Sequence, residues 1–367
     1  MGEWCETTLG KVVNLKRGHD LPSRLRVDGP VPIYSSSGIS GYHNEAKASG
    51  PGVVTGRYGT IGQVFLSAGE YWPLNTTLYV EDFKGNDEVF IYYFLKGIDW
   101  EKFNDKSAVP GVNRNDAHKE DVTLPPLAEQ KAIAAVLSSL DDKIDLLHRQ
   151  NKTLEAMAET LFRQWFVEEA QDDWEEGVLG DLVTITRGAS PRPIVKYVKD
   201  GTVPWIKIAD ATGSSSFYIT STREFIIEEG VSKSVEVYPG DLILSNSATC
   251  GLPYFVELKG CIHDGWLLFR EFGRVSKLFV FFFLKQINRE LNSVADGSVQ
   301  NNLNTSILKE YQLRIPDEGT VQKFDEIAEA IIAKMRFNNC KVQTLEKLRD
   351  TLLPKLMSGE VRVEVET

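Results

Sequence analysis

The chain has 367 residues, 42% of them hydrophobic and 25% charged, with a formal net charge of −11. It is long enough for two ordinary domains with separate cores, and its acidic balance excludes a polybasic nucleic-acid arm. The longest apolar runs, such as 279–284, are too short to span a bilayer, so no membrane partner is expected.

Read in order, the chain opens Met1-Gly2-Glu3-Trp4-Cys5-Glu6, without the basic start and apolar stretch of a signal peptide. Short strands separated by Gly and Asn turns are predicted at 52–55, 62–66 and 78–80, then a helix over 89–96. Pro125-Pro126 stops a strand-like 122–124 and starts a long helix. Along it Ile133, Leu137, Leu140, Ile144, Leu147, Asn151, Leu154, Ala158, Leu161 and Trp165 alternate in steps of three and four. That is a coiled-coil seam, with Asn151 as a polar interruption able to set register. A second front region follows, with strands at 241–245 and 267–269 and a helix over 275–285. A second seam then runs Phe324, Ile331, Met335, Asn338, Val342, Leu345, Leu352 and Leu356. Ser358-Gly359 supplies its stop, and Pro354 perturbs only the last turns.

The two halves are copies. Trp4, Leu9, Gly10, Val13, Arg17 and Gly18 recur at an offset of 170 as Trp174, Leu179, Gly180, Val183, Arg187 and Gly188. Later matches pair Thr60 and Gly62 with Thr249 and Gly251, Asn113 and Asn115 with Asn302 and Asn304, and Gln130-Lys131 with Gln322-Lys323. Thr153-Leu154-Glu155 answers to Thr344-Leu345-Glu346 at an offset of 191. The expected fold is mixed α/β with a pseudo-twofold internal repeat. It comprises a β-rich domain at 1–126, a long helix at 127–170, a second β-rich domain at 171–318, and a long helix with a tail at 319–367. Each seam's obvious partner is the other. Since each helix leaves its domain by the equivalent exit, the pair is expected to be antiparallel, about 60 Å long at ~1.5 Å per residue. The first seam also has the pattern to pair with itself.

Residues 1–126 carry 13 basic and 16 acidic residues, and residues 171–316 carry 15 and 18. Any DNA surface is therefore a local arrangement of Lys and Arg, or is completed by another subunit. The four cysteines, at 5, 250, 261 and 340, show neither metal-ligand spacing nor a disulfide framework, which fits a reducing cytoplasm without a metal site.

Leu124-Pro125-Pro126-Leu127-Ala128-Glu129-Gln130 resembles a hallmark of the specificity (S) subunits of type I restriction-modification systems. So do Leu161-Phe162-Arg163-Gln164-Trp165-Phe166-Val167, and Leu352-Leu353-Pro354-Lys355-Leu356-Met357-Ser358-Gly359. Gly56-Arg57-Tyr58-Gly59-Thr60-Ile61-Gly62 and Trp72-Pro73-Leu74-Asn75-Thr76-Thr77-Leu78 are similar to recurrent patterns of their target-recognition domains. The second copy departs from these, with Ser247-Ala248-Thr249-Cys250-Gly251 and His263-Asp264-Gly265 in their places. The resemblance implies a non-catalytic subunit of two tandem target-recognition domains, each reading three to five base pairs of double-stranded DNA. It implies an antiparallel coiled coil that sets the unread spacer and docks two methyltransferase subunits, with a restriction or motor subunit as a further partner. S-adenosylmethionine then belongs to the methyltransferase, and this chain needs no cofactor.

Loops after strands are where base-reading side chains project. In the first domain the candidates are Lys16, Arg17, His19, Ser35, Ser36, Ser37, Tyr42, Arg57, Tyr58, Thr60, Asn113, Arg114 and Asn115. In the second they are Arg187, Arg192, Lys207, Asp210, Ser245, Asn246, Ser247, Thr249, Gln300, Asn301 and Asn302. Arg and Lys suit guanine N7 and O6, and Asn and Gln suit adenine N6 and N7. Against each Asn stands its ordinary use in turns. Two other classes remain. A nuclease would use Asp241, Glu257 and Lys259 as two carboxylates and a lysine around a metal. A scaffold would use the coiled coil alone.

Overall fold

A computed structural model describes residues 3–104, 111–212, 216–247, 250–288, 290–291, 303 and 305–364. The chain divides into two compact units, Met1–Asp145 with Val342–Thr367, and Leu146–Lys341. Each unit therefore holds one β-rich domain and part of both long helices. Among the described residues no helix is long and apolar enough to cross a membrane.

In the first unit Asn14–Arg17, Thr77–Asp82, Gly52–Gly56 and Val64–Ser67 form an antiparallel sheet in that order. A smaller sheet places Val31–Ser35 between Gly38–His43, antiparallel, and Trp72–Pro73, parallel. The second unit repeats the plan. Thr184–Arg187, Trp266–Arg270, Leu242–Ser245 and Pro253–Val256 take the same order, with Tyr218–Ile219 added in parallel at the edge. Its smaller sheet sets Val203–Ile206 between Phe225–Ile226, antiparallel, and Gly260–Ile262, parallel, and adds Val235–Val237. The shared order and sense of these strands, with two strands added in the second unit, is consistent with an internal repeat.

The recurrent Arg-Gly pair has a steric cause. A Cβ on Gly18 would lie 2.1 Å from the Leu74 carbonyl oxygen, and one on Gly188 would lie 2.1 Å from that of His263. No side chain fits there, because at both places one backbone rests on another.

Among the described residues the longest helix inside each domain is Glu88–Lys96 in the first and Lys277–Gln286 in the second. Asp87 caps the first by accepting the Phe90 N–H at 2.8 Å, and Ser276 caps the second by accepting that of Phe279 at 2.9 Å. Nine or ten residues make a marginal helix alone. Burial decides the matter, since Phe90, Ile91, Phe94 and Leu95, and likewise Phe279, Phe281, Phe282 and Leu284, lie in the cores, each worth about 1.5–3 kcal/mol.

The long helices span Leu127–Arg163, continued by a π-helical turn over Gln164–Glu168, and Glu318–Met357. Pro354 sits inside the second without ending it, and Gly359, at φ 74°, ends it. Within each unit, residue numbers rise along one helix as they fall along the other, so the pairing is antiparallel, as expected. In the first unit Asp141 accepts from Arg349 at 2.8 Å, and Glu129 is gripped by Arg362, beyond the helix end, at 2.5 and 2.6 Å. In the second, Asn151 meets Asn338 and Asn339, while Phe162 and Phe324 have ring centroids 5.6 Å apart.

Both helices are fastened to the β-rich domains. The Tyr93 hydroxyl donates to Asp141 at 2.7 Å, so one carboxylate ties a domain helix and the other long helix together. In the second unit Lys285 bonds Glu155 and Glu159, Arg336 bonds Glu257, and Phe162 stacks among Phe279, Phe282 and Phe324. The Glu129-Gln130 motif is structural. Buried Glu129 also accepts from Trp4 Nε1 at 3.2 Å, and buried Gln130 accepts from the Asp87 N–H and donates to Asn86 and to the Pro125 carbonyl.

The structure corrects two matches of the repeat. The Val112 N–H donates to the Arg57 carbonyl, and the Leu303 N–H donates to that of Asn246. Leu303 is thus level with Val112, two residues on from the register that pairs Asn113 with Asn302. The long helices begin 191 residues apart, which sets buried Gln130 level with buried Val321 rather than with Gln322. Shared residue types at nearby offsets had masked the true register.

Candidate nucleic-acid interface

In the first unit the main-chain hydrogen bonds gather five loop segments on one surface. The Gly18 N–H donates to the Thr77 carbonyl at 3.0 Å, that of His19 to Pro73 at 2.7 Å, and that of Asn75 to His19 at 3.0 Å. Arg57 and Tyr58 both donate to the Thr76 carbonyl, at 2.9 and 3.1 Å, and Val112 donates to Arg57 at 3.0 Å. A Cβ on Gly56 would meet the Ser36 oxygen at 3.1 Å, which puts the Ser35–Ser37 turn beside the same loop. Arg17, His19, Ser35, Ser36, Ser37, Arg57, Tyr58, Thr60 and Asn113 therefore belong to one loop cluster. The Arg57 guanidinium lies over the Tyr58 ring, 4.3 Å from its centroid, a flat cation-aromatic face. His19 stands against Trp72 and Tyr79. Burial, with Lys16 and Lys47 near it, holds its ring below the ordinary histidine range, so it is a neutral hydrogen-bonding group near pH 7.

Other candidates have different places. Lys16 forms an ion pair with Glu81 at 2.5 Å. Tyr42 is exposed on the strand Gly38–His43, opposite Pro32 and away from the loop cluster's hydrogen bonds. Asn113 caps the short helix Arg114–Ala117 by accepting the Asn115 N–H at 3.0 Å, the turn use of Asn, while Arg114 and Asn115 are exposed on that helix.

The second unit gathers the equivalent segments around Asp264. Its carbonyl accepts Arg187 Nε at 3.1 Å and Asn246 Nδ2 at 3.2 Å. Its carboxylate accepts the Ser190 hydroxyl at 2.6 Å and Arg192 Nη2 at 3.4 Å. The Ser190 hydroxyl, with Arg192 beyond it, holds this carboxyl below the usual range. Gly188 donates to the Trp266 carbonyl as Gly18 does to that of Thr77, so Asp264 is the counterpart of Asn75. The His263-Asp264-Gly265 triplet was visible as a departure from the first copy's pattern, but its hub role was not.

Three candidates are used internally. Ser245 is buried and accepts the Leu252 N–H at 3.0 Å, and Asn246 is buried with its amide nitrogen on Asp264. The Asp210 side chain accepts from the Lys207 N–H and the Thr222 hydroxyl at 2.9 Å, and from the Arg223 N–H and Nε at 3.2 Å. These side chains cannot reach a base edge without dismantling the domain. Lys207 pairs with Glu224 at 2.5 Å and lies over the Trp205 ring. Half-buried Ser247 adjoins Gly265, and a Cβ there would lie 2.9 Å from its hydroxyl oxygen. Thr249, Gln300, Asn301 and Asn302 lie outside the described residues.

Burial pushes the Asp210 carboxyl up, but the hydrogen bonds it accepts outweigh that and hold it below its ordinary value. A depressed folded value means the stabilisation is complete above about pH 4–5 and is lost as pH falls through the folded value. Thermal melts of the wild type should thus fall on acidification more steeply than those of Asp210→Asn, which is the less stable protein at neutral pH. Parallel melting curves would contradict this account.

The nuclease alternative is not assembled. Asp241 binds Arg270 and accepts the Tyr238 N–H at 2.8 Å, Glu257 binds Arg336, and Lys259 lies 5.8 Å from the Tyr238 ring. Each carboxylate is neutralised by its own arginine, so the two do not converge on a cation. Among the described residues no three His, Cys, Asp or Glu side chains are placed to hold a metal.

Two like domains with one loop plan, together with a pair of long helices, define a duplicated, two-headed binding protein. The chain belongs to the type I restriction modification DNA specificity domain family, whose description matches residues 1–156 and again 171–347, once per copy. It is similar to the type I restriction enzyme MjaIX specificity subunit of Methanocaldococcus jannaschii, 23% identical over 305 residues, 75% of this chain and 69% of that one. The MjaVIII specificity subunit of the same organism is 24% identical over 83% of this chain and 77% of its own length. The HindI specificity subunit of Haemophilus influenzae is 22% identical over 69% and 71%. A type I restriction-modification S subunit from M. genitalium shares the fold, with a TM-score of 0.65 and 17% identity over 97% of this chain and 96% of that one.

Proposed function

We propose that this chain is the sequence-reading, non-catalytic subunit of a type I restriction-modification complex. Each domain reads one half of a bipartite DNA site through the loop clusters around Arg17 and Arg57 and around Arg187, Arg192 and Asp264. The single observation that carries this reading is the repetition of one loop plan in both domains of a chain with two family matches. Arg17 and Arg187 end equivalent strands and are exposed, as phosphate or guanine contacts require. The length of the paired helices sets the unread gap.

The helices also suit two copies of one partner. Three pairs of their exposed apolar residues correspond at the single offset of 191: Val136 with Ile327, Leu146 with Phe337, and Met157 with Leu348. Eleven residues are close to three turns and ten fall about 80° short of them, so each set of three runs as a loose line on one side of its helix. We assign these lines to two methyltransferase subunits, which carry S-adenosylmethionine and supply the positive surface that a chain of net charge −11 lacks. A restriction subunit adds to that core.

The test is selection from a random bipartite DNA library, with and without an adenine methyltransferase partner. Two short elements at a fixed gap should be enriched when the partner is present. No enrichment with the partner would instead favour a scaffold, and magnesium-dependent cleavage by the chain alone would favour the nuclease.

A further inference from the structure

In the unit Leu146–Lys341 one layer of the helix pair is polar. Asn151 Nδ2 donates to Asn339 Oδ1 at 2.7 Å, Asn338 Nδ2 donates to Asn151 Oδ1 at 2.9 Å, and Asn339 Nδ2 donates to Ser216 Oγ at 2.8 Å. Asn338 is 0% exposed and Asn151 8%, and Asn338 Oδ1 has no hydrogen-bond partner. A Leu or Val layer here would be more stable, because buried amides keep part of their desolvation cost. The layer therefore asks for a reason other than stability.

The internal repeat supplies one. Seam positions of the two helices correspond at the offset of 191, as in Ile133 with Phe324, Leu137 with Ala328, and Ile144 with Met335, all of them buried. By the same offset Asn151 corresponds to Val342, 5% exposed, and Asn338 to Leu147, 4% exposed. Pairing the first helix with the second brings amide to amide in one layer. Pairing two first helices in the same antiparallel register would set Asn151 against Leu147 twice. Two second helices would likewise set Asn338 against Val342 twice. Every like-with-like arrangement thus sets its two buried amides against an apolar seam residue in place of an amide, with His148, the counterpart of Asn339, the one polar neighbour in the first-helix pair.

We propose that Asn151, Asn338 and Asn339 select pairing of the first helix with the second, and reject like-with-like pairing between two copies of the chain. Self-pairing is what the apolar repeat of the first seam otherwise invites, and this layer opposes it. Partner choice is made by the cost of the wrong pair rather than by the strength of the right one. Two unsatisfied amide layers weaken a like-with-like dimer by about two to three orders of magnitude. The consequence is that each helix pair brings together one copy of each domain, and it holds whatever those domains bind.

The test uses the full chain and measures mass by sedimentation or light scattering at dilute and concentrated protein. Asn151→Val removes the mismatch from the first-helix pair and leaves Asn338 without its amide partner inside the chain. Compared with the wild type it should dimerise about 100-fold more readily, and differently tagged copies should co-purify. The double variant Asn151→Val, Asn338→Leu has an all-apolar layer in every arrangement. It should melt at or above the wild type and still exchange between chains, which separates selection from folding. A folded Asn151→Val with the wild type's mass at every concentration overturns the proposal. So does a double variant no more prone to associate than the wild type, whatever the single variant does.

Discussion

Exchanging residues 171–316 for the corresponding domain of another family member is expected to change the bases at one half of the recognised site and leave the other half intact. All the described loops around Asp264 lie inside the exchanged segment, and those around Arg57 lie outside it. The two domains have separate cores, one around Phe90, Phe94 and Trp100, the other around Phe279, Phe281 and Trp266. The incoming domain must keep the fastenings seen here, Lys285 to Glu155 and Glu159, Glu257 to Arg336, and the Phe279 and Phe282 rings against Phe162. Three to five base pairs at about 1–3 kcal/mol per mismatch predict a fall of roughly a thousandfold or more on the original site. Library selection with the methyltransferase partner reads the outcome. If both half-sites changed together, independent reading by the two domains would be wrong.

One added heptad in each long helix, placed at matched positions so that the seam and the Asn layer keep their partners, is expected to lengthen the tolerated gap without altering the bases read. Seven residues add about 10 Å of helix, and B-DNA advances about 34 Å per turn of 10–10.5 base pairs. The gap should therefore grow by up to about three base pairs. Binding at the original spacing should fall roughly a hundredfold, because only one half-site can then be engaged well. Selection on libraries of graded spacing measures this, and an unchanged optimum would remove the helices from any role in setting the gap.

What was legible in the sequence was whatever depends on local spacing. Steps of three and four mark the seams, and Pro125-Pro126 and Gly359 mark their limits, because helices are built from neighbours one turn apart. Duplication was legible because paired residues at a slowly drifting offset need no structure to be seen, and the antiparallel sense followed from it. The family resemblance rested on the same strings, although Glu129 and Gln130 within them anchor a helix rather than meet a ligand.

The tertiary structure alone decided which polar residues face outward. Ser245, Asn246 and Asp210 read as contacts because Ser, Asn and Asp are common at binding loops, yet each is turned inward, Ser245 and Asp210 onto hydrogen-bond partners and Asn246 with its amide nitrogen on Asp264. Asp264 is the reverse case. Its neighbours Arg187, Ser190, Arg192 and Asn246 lie 18 to 77 positions away, so no local pattern could reveal it. The exact register of the repeat belongs here too, since hydrogen bonds such as Val112 to Arg57 and Leu303 to Asn246 identify equivalent positions where residue types mislead. Local periodicity can be written into consecutive residues, whereas the partner of a buried polar atom is chosen by where the rest of the chain passes.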